Sequence, residues 1–143
     1  MYLADYHVHS SCSPDGHLTM ADMARQGIAR GLDEICFTDH VDTIEWGSTH
    51  LRTDCCDWEK ARKQYGEASA LYGDRIRLKL GAELGEAYLG FDCAEKQMAG
   101  APPLDFVIGS VHMTRDENGW FDLFYIDGDR DDAYYHAVID AYL

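Results

Sequence analysis

The sequence is poor in three features: cysteines spaced for pairing, long apolar runs and basic residues. Its five cysteines are an odd number without a C-x-x-C pair, which argues against a disulfide framework or a zinc ribbon and favours reduced thiols. No run approaches the roughly 18 apolar residues that span a bilayer. The N-terminal MYLADYHVHS also lacks the basic and apolar regions of a signal peptide. We therefore expect a cytoplasmic protein with no membrane partner.

Positive charge is scarce, since 12 Lys and Arg residues stand against 26 Asp and Glu residues and give a formal net charge of −14. Proteins bind nucleic acid chiefly by neutralising phosphates with Lys and Arg, so this composition argues against a nucleic-acid partner. Any anionic substrate would meet a repulsive field. Bound divalent metal ions would reverse the sign of that field locally.

What remains is the composition of a globular domain, with 46% hydrophobic residues arranged as alternating strands and helices. The patterns predict strands over residues 3–9, 33–40, 75–83 and 104–112, and helices over 19–30, 57–74, 91–99 and 129–143. Such alternation is typical of an α/β protein with a parallel sheet covered by helices. Four strands fit either an open sheet or part of a barrel.

Every predicted strand ends in a residue that can bind a metal ion. The first strand contributes two histidines spaced two residues apart, so both imidazoles project on one face. The ligand types at the four strand ends are, in order, His7 and His9, then Asp39 and His40, then Glu83, then His112. Any one of them alone is better explained as a solvated or hydrogen-bonded polar residue. Because the carboxyl ends of parallel strands meet at one edge, where active sites lie, the whole set predicts a metal site.

The donor types indicate which chemistry this site performs. Imidazole and carboxylate donors without thiolates suit Zn, Mn or Fe, and a carboxylate such as Glu83 can bridge two ions. Two or three ions can hold an oxyanion, lower the pKa of a bound water and stabilise attack on phosphorus. Rival sites are weaker: a triad of Ser110, His112 and Asp39 lacks the G-x-S-x-G elbow, and no P-loop occurs.

Four segments resemble the motifs of the PHP (polymerase and histidinol phosphatase) superfamily, in the family's order and spacing. They are DYHVHSSCSPDG, GLDEICFTDH, LGAELG and DFVIGSVH, and the IGSVH within the last is most similar to the histidinol-phosphate phosphatase branch. The resemblance implies a distorted (β/α)7 TIM-like barrel. It covers essentially the whole chain, yet only about half of the family's domain, because the later D-x-H and the phosphate-binding Arg have no counterpart.

This comparison predicts a single PHP domain over residues 1–143 that is truncated at its C-terminus. Half of a barrel exposes an unpaired strand edge and apolar surface, both of which favour association, for example into a homo-oligomer.

The resemblance also implies roles for particular residues. In it, the metal ligands are His7, His9, Asp15, His40, Glu83 and His112, with Glu83 as the bridge. For Asp15, within the loop SPDGH, turn formation is an equally good explanation. Asp39 is expected beside the ligands, where it would fix a histidine tautomer. His17 is expected to reach the substrate phosphate, or else to be a solvated loop residue.

The activity implied by the resemblance is that of a metal-dependent phosphomonoesterase. Its substrate would be L-histidinol phosphate, a small phosphorylated metabolite of histidine biosynthesis, attacked by a metal-activated hydroxide. The alternatives are a PHP-type phosphoesterase of other specificity, such as a nuclease or protein-tyrosine phosphatase, and an inactive metal-binding fragment. The acidic charge argues against polynucleotide substrates. Because half of the family's domain is missing, we expect the chain alone to bind metal weakly and to hydrolyse little.

Overall fold

A parallel sheet forms the centre of the computed structural model, which describes residues 1–116, 118–126 and 128–142. The strands in this part of the chain are β1 (Ala4–Val8), β2 (Glu34–Phe37), β3 (His40–Asp42), β4 (Arg77–Gly85), β5 (Phe106–Ser110), β6 (Met113–Asp116) and β7 (Gly119–Asp122). The helices are α1 (Met20–Arg30), α2 (Trp58–Tyr72), α3 (Phe91–Met98) and α4 (Asp132–Tyr142). All four predicted helices are confirmed, although Leu143, the last predicted residue of α4, lies outside the described residues.

The order of strands in the sheet follows their order in the chain. β1 pairs with β2, β2 and β3 both pair with β4, and β4 pairs with β5, always in parallel. β2 lies beside residues 77–80 of β4 and β3 beside residues 83–85, so these two short strands act as one interrupted strand. The sheet curls into half of a barrel, which confirms the predicted α/β class and barrel-like arrangement.

The predicted strand 33–40 is broken after Phe37. Its backbone partner β1 has an irregular register between Asp5 and Val8, and Thr38 bridges the gap by accepting the Val8 amide on its Oγ1 at 3.0 Å. At this point the Thr38 side chain replaces a backbone hydrogen bond between the two strands. The interruption lets β3 continue beside the last three residues of β4, where the predicted site residues lie.

The hydrophobic core lies between the outer face of the sheet and the helices. α1 begins at the cap Thr19, whose Oγ1 accepts the Asp22 amide, and ends at Gly31, whose φ of 79° favours glycine. The helix and sheet residues that are buried in one cluster include Met20, Ala24, Ile35, Phe37, Ala61, Ala68, Leu80 and Ala82. The strand residues of this cluster face outwards, towards the helices. The alternate residues of each strand therefore face the inside of the half-barrel.

The antiparallel hairpin of β6 and β7 was not predicted from the sequence. Each of its strands is only four residues long, which is too short for a clear alternation of apolar and polar residues. The hairpin leads into a single 3-10 turn at Leu123–Tyr125. Among the described residues, no helix has both the length and the apolar character needed to cross a membrane.

Gly81 allows a test of how tightly the inside of the half-barrel is packed. A Cβ at Gly81 would lie 2.5 Å from the backbone oxygen of Phe106 and 3.0 Å from the side chains of Cys36 and Thr38. We expect Gly81→Ala to lower the free energy of unfolding by about 1–3 kcal/mol, as overpacking does. Urea denaturation measures this effect, provided that the m-value is the same for the variant and the wild-type protein.

The matched control is Gly66→Ala in the exposed middle of α2, where an added Cβ meets nothing within 4 Å. This change should raise the free energy of unfolding by about 1 kcal/mol, because alanine favours a helix over glycine. If both variants shifted the unfolding midpoint in the same direction, the tight packing at Gly81 would be disproved.

Candidate metal centre

Imidazoles and carboxylates converge at the carboxyl ends of the parallel strands. β1 and the residue after it supply His7 and His9, β3 supplies His40, and β4 supplies Glu83, which is paired in register with His40. His112 follows β5 by two residues. Their clustering follows from topology, since neighbouring parallel strands end at the same edge of the sheet.

Glu83 lies at the centre of this cluster and is only 1% exposed. Its Oε1 also accepts a hydrogen bond from the Ser110 hydroxyl. Four imidazole nitrogens lie within 3.3 Å of its two oxygens: His7 Nε2 at 3.1 Å, His112 Nε2 at 3.0 Å, His9 Nε2 at 2.9 Å and His40 Nδ1 at 3.3 Å. One buried carboxylate therefore joins all four histidines that were predicted to be ligands.

The charges in the cluster shift the titration of its members. Burial alone would raise the pKa of Glu83, but hydrogen bonds from His112 and Ser110 and the adjacent His9 imidazole outweigh it and hold that pKa far below its usual range. In return, the Glu83 carboxylate, 2.9 Å from His9 Nε2, raises the pKa of His9 to about 9. Hydrogen bonds to Glu83 and Glu86 raise the pKa of His112 to about 10. Metal-free protein therefore carries protons on both imidazoles at neutral pH, and a cation must displace them.

Asp15 also belongs to the cluster, although it lies on the loop between β1 and α1. Its Oδ2 is 2.9 Å from His9 Nδ1 and 3.6 Å from His40 Nε2. The structure thus brings together all six residues that the sequence suggested as ligands.

Asp42 is a further member that the sequence analysis missed. It is 5% exposed and lies two residues after His40 on β3, so both side chains project on the same face. Its Oδ2 accepts the Trp46 indole N–H at 2.9 Å, and its Oδ1 lies 3.5 Å from His40 Nδ1 and 3.8 Å from His112 Nδ1. The sequence does contain a pattern that indicates Asp42, because HVD at residues 40–42 has the same two-residue spacing as HVH at residues 7–9.

Glu86 was also missed, and it supports the backbone near His112. Its backbone has a φ of 50°, and its buried Oε1 accepts the amides of His112 and Met113. The predicted strand ended at Glu83, whereas β4 continues to Gly85. This extension turns Glu86 towards the loop that carries His112.

The structure places Asp39 and His17 differently from the other predicted residues. The Asp39 carboxylate accepts hydrogen bonds from Ser10 and Ser13, and among the described residues it contacts no imidazole. It is linked to His40 only indirectly, because the His40 amide donates to the Ser13 hydroxyl. His17 is exposed on the loop before α1, outside the group of side chains that surround Glu83. The aspartates that lie beside imidazoles are Asp15 and Asp42 rather than Asp39.

The unpaired polar atoms of the cluster test whether a cation fits. Within the described residues, six buried side-chain N or O atoms make no hydrogen bond of good geometry, and five belong to this cluster: His9 Nε2, His40 Nδ1, Asp42 Oδ1, Glu83 Oε2 and His112 Nδ1. His9 Nε2 and Glu83 Oε2 lie 2.9 Å apart. Such atoms are costly unless something binds them. Three groups place their ligand atoms close enough to share one ion: His7, His9 and Glu83; His9, Asp15 and His40; His40, Asp42 and His112. These donors suit Zn, Mn or Fe.

A cavity of about 350 Å³ opens directly onto the cluster. Three aromatic side chains also line the cavity: Trp46, next to His40, and Phe124 and Tyr125 from the turn after β7. Asp122 at the end of β7 also lines it. The arrangement can hold a small organic molecule with one polar end at the histidines.

Comparisons with known proteins agree with this geometry. A model of the PHP domain family matches residues 5–142. The histidinol-phosphatase of Lactococcus lactis subsp. lactis is 34% identical over 108 residues, which are 76% of this chain and 38% of that protein. A probable histidinol-phosphatase of Deinococcus radiodurans is 27% identical over 113 residues, which are 77% of this chain and 42% of that protein.

A solved structure is similar as well. The crystal structure of the Lactococcus lactis histidinol phosphate phosphatase, complexed with Zn, L-histidinol and phosphate, matches with a TM-score of 0.58 and 30% identity. The match covers 77% of this chain and 40% of that one. The present chain thus spans well under half the length of the relatives it matches.

The coupling of Glu83 to the histidines predicts how the stability of metal-free protein depends on pH. Because the pKa of His9 is raised from 6.5 to about 9, its contact with Glu83 stabilises the fold fully below pH 6.5 and is lost as pH rises to about 9. Because the pKa of Glu83 is lowered from 4.5, its contribution is present above pH 4.5 and is lost in acid. Urea midpoints in a chelator should therefore be highest between pH 4.5 and 6.5.

Glu83→Gln should reduce the decline above pH 6.5, since His9 and His112 lose the carboxylate that contributes most to their raised pKa values. Glu45→Gln is the matched control, because Glu45 is exposed and lies 3.9 Å from the exposed His50. It should keep the wild-type profile. A decline of equal size in the Glu83→Gln protein would show that the cluster is not its source.

Proposed function

Because the chain belongs to the PHP domain family, we propose that it is a metal-dependent phosphomonoesterase that hydrolyses L-histidinol phosphate to L-histidinol and phosphate. The observation that carries this proposal is the contact of four imidazoles with the buried Glu83 at the base of an open cavity. The names of the Lactococcus lactis and Deinococcus radiodurans relatives support the substrate.

The proposed cofactors are two or three divalent ions, Zn, Mn or Fe. Their proposed ligands are His7, His9, Asp15, His40, Glu83 and His112, and the Zn in the Lactococcus lactis structure supports this chemistry. Such ions neutralise phosphate charge and lower the pKa of a water ligand, so no protein nucleophile is needed.

The chain's own residues would bind and orient the substrate. Of the four histidines around Glu83, His7 has the most exposed side chain, at 57%, so it lies where a phosphate group would enter. Trp46, Phe124 and Tyr125 offer flat apolar surfaces to the organic part of the molecule and exclude water from it. The net charge of −14 disfavours anions but attracts a substrate whose organic part is cationic.

Several coarser expectations belong to the same proposal. We propose histidine biosynthesis as the pathway, the cytoplasm as the location, a small phosphorylated metabolite as the partner, and neither nucleic acid nor membrane. A single PHP domain over residues 1–143 and a homo-oligomer stay predictions. His17 as a phosphate contact stays one as well, and its exposed position on the loop before α1 gives it no added support.

A second candidate is a metal-binding module without turnover of its own. It is favoured by the exposure of Phe106 and Val107 on β5, 41% and 44%. β5 pairs only with β4 among the described strands, so its other edge is uncovered. In this second candidate, a partner or a further segment that covers this edge would be needed for full activity.

One experiment separates the two candidates. Metal content and release of inorganic phosphate from L-histidinol phosphate are measured on the same purified chain after loading with Mn²⁺ or Zn²⁺. Turnover with two or more ions per chain supports the phosphatase. Two or more ions without turnover support the module, and no bound metal would contradict both.

The site assignment is tested by His9→Ala in the metal-loaded chain. Loss of one imidazole next to Glu83 should reduce phosphate release by about 100-fold or more, because even indirect partners of metal ligands contribute about 10- to 100-fold. His50→Ala is the control, since His50 is 83% exposed and lies outside the cluster, and it should keep full activity. Equal activity of the two variants would overturn the assignment.

A further inference from the structure

Three cavities between the β6–β7 hairpin and α4 form one groove outside the metal centre. Their volumes are about 690, 290 and 540 Å³, and each cavity shares lining residues with the other two. The shared residues, which define the groove, are Arg115, Trp120, Arg130, Tyr134 and Ala141. None of them belongs to the group of side chains that surround Glu83. The largest of the cavities is within the size range of small-molecule sites.

Buried contacts hold the two sides of the groove together. Val138 of α4 is buried, and its backbone oxygen accepts the hydroxyl of the buried Thr114 on β6 at 3.4 Å. β6 and β7 pair in antiparallel register along all four residues of each strand. The side chains on the hairpin and those on α4 therefore have a defined spacing across the groove.

Two guanidinium groups line the groove, and each is next to an aromatic ring. Arg115 is paired in register with Trp120 across the hairpin, and both line the same cavity. The guanidinium carbon of Arg130 lies 4.2 Å from the centroid of the Tyr134 ring. A guanidinium that stacks on a ring uses its face, and the N–H groups at its edge can still bind a carboxylate or a phosphate.

The charge of the groove differs from that of the whole chain, in which 26 acidic residues stand against 12 basic ones. Many cations elsewhere are in ion pairs with carboxylates, among them Arg25, Arg52, Arg62, Arg77 and Lys79. In the part of the chain that the structure describes, the exposed Arg115 makes no ion pair or side-chain hydrogen bond. Among the described lining residues, the one carboxylate is that of Asp131, which accepts the Tyr134 amide at 2.9 Å. These lining residues therefore carry two positive charges and one negative charge.

Further aromatic side chains line the cavities that contain the two arginines. Tyr88 and Tyr142 line the cavity of about 540 Å³ with Arg115, and Tyr125 lines the cavity of about 290 Å³ with Arg130. Flat apolar rings next to charged donors suit a ligand that combines an aromatic ring with an anionic group. A phosphate offers more charge and more acceptor oxygens to two guanidiniums than a single carboxylate does. A nucleoside monophosphate has both a flat ring and a phosphate.

We propose that the groove binds a nucleoside monophosphate, with its phosphate between Arg115 and Arg130 and its base against the neighbouring aromatic rings. The acidic composition argues against polynucleotides, which need many cations, whereas one phosphate needs only these two. The inference does not rest on the proposed function, because no residue of the groove is a proposed metal ligand. Tyr125 lines both this groove and the cavity of the metal centre, so the two sites adjoin.

The experiment is a calorimetric titration of the purified chain with the phosphonate analogue of adenosine monophosphate, which has no phosphate ester to hydrolyse. The wild-type chain should bind one equivalent. Arg115→Gln should weaken binding by about 10-fold or more, because it removes charged hydrogen-bond donors to the phosphate. Arg75→Gln is the matched control, since Arg75 is also exposed but lines none of the three cavities, and it should leave the affinity unchanged.

Two partial probes separate recognition of the phosphate from recognition of the base. Adenosine and inorganic phosphate, titrated singly, should each bind at least about 10-fold more weakly than the analogue, because each fills only part of the groove. Trp120→Leu should weaken binding of the analogue by about 5-fold or more, since it removes a ring on which the base stacks. The proposal fails if the wild-type chain shows no saturable binding, or if adenosine binds as tightly as the analogue. It also fails if Arg115→Gln and Arg75→Gln bind equally well, which would place the ligand at the metal centre.

Discussion

The structure depends on one buried carboxylate, Glu83, which contacts four imidazoles from three other segments of the chain. A buried charge is unfavourable unless it is paired, so Glu83 requires its partners to be in place. The four partners come from three parts of the sheet: the end of β1, the start of β3 and the residues after β5. The geometry of the cluster is therefore a consequence of the strand order.

A second ring of polar contacts holds the segments that carry the histidines. Asp39 binds Ser10 and Ser13 and so fixes the loop after β1, and Glu86 binds the amides of the segment after β5. Asp42 is held by Trp46. None of these three carboxylates is exposed, which means that the acidic composition of the chain is not only a surface property.

Much of the fold and part of the site followed from sequence patterns. Periodicity located the helices and the strands of the parallel sheet, and the strand ends located His7, His9, His40, Glu83 and His112, because parallel strands end at a common edge. Asp42 and Glu86 were missed because the predicted strands ended at His40 and Glu83, before the structure ends them. The hairpin was missed because its strands are too short to show a period. Asp39 was expected at an imidazole, but strand periodicity does not register the break at Thr38 that turns it towards the serines.

The position of the ligands along the chain has a consequence for folding. The side chains that meet at Glu83 extend from His7 to His112, so a cation bound there closes loops that include most of the described residues. An ion that joins distant segments stabilises the fold in the manner of a cross-link. The loop-closure entropy that it offsets grows slowly with the length of the loop. The five cysteines are free, so bound ions would be reversible cross-links that hold the ends of the four parallel strands together.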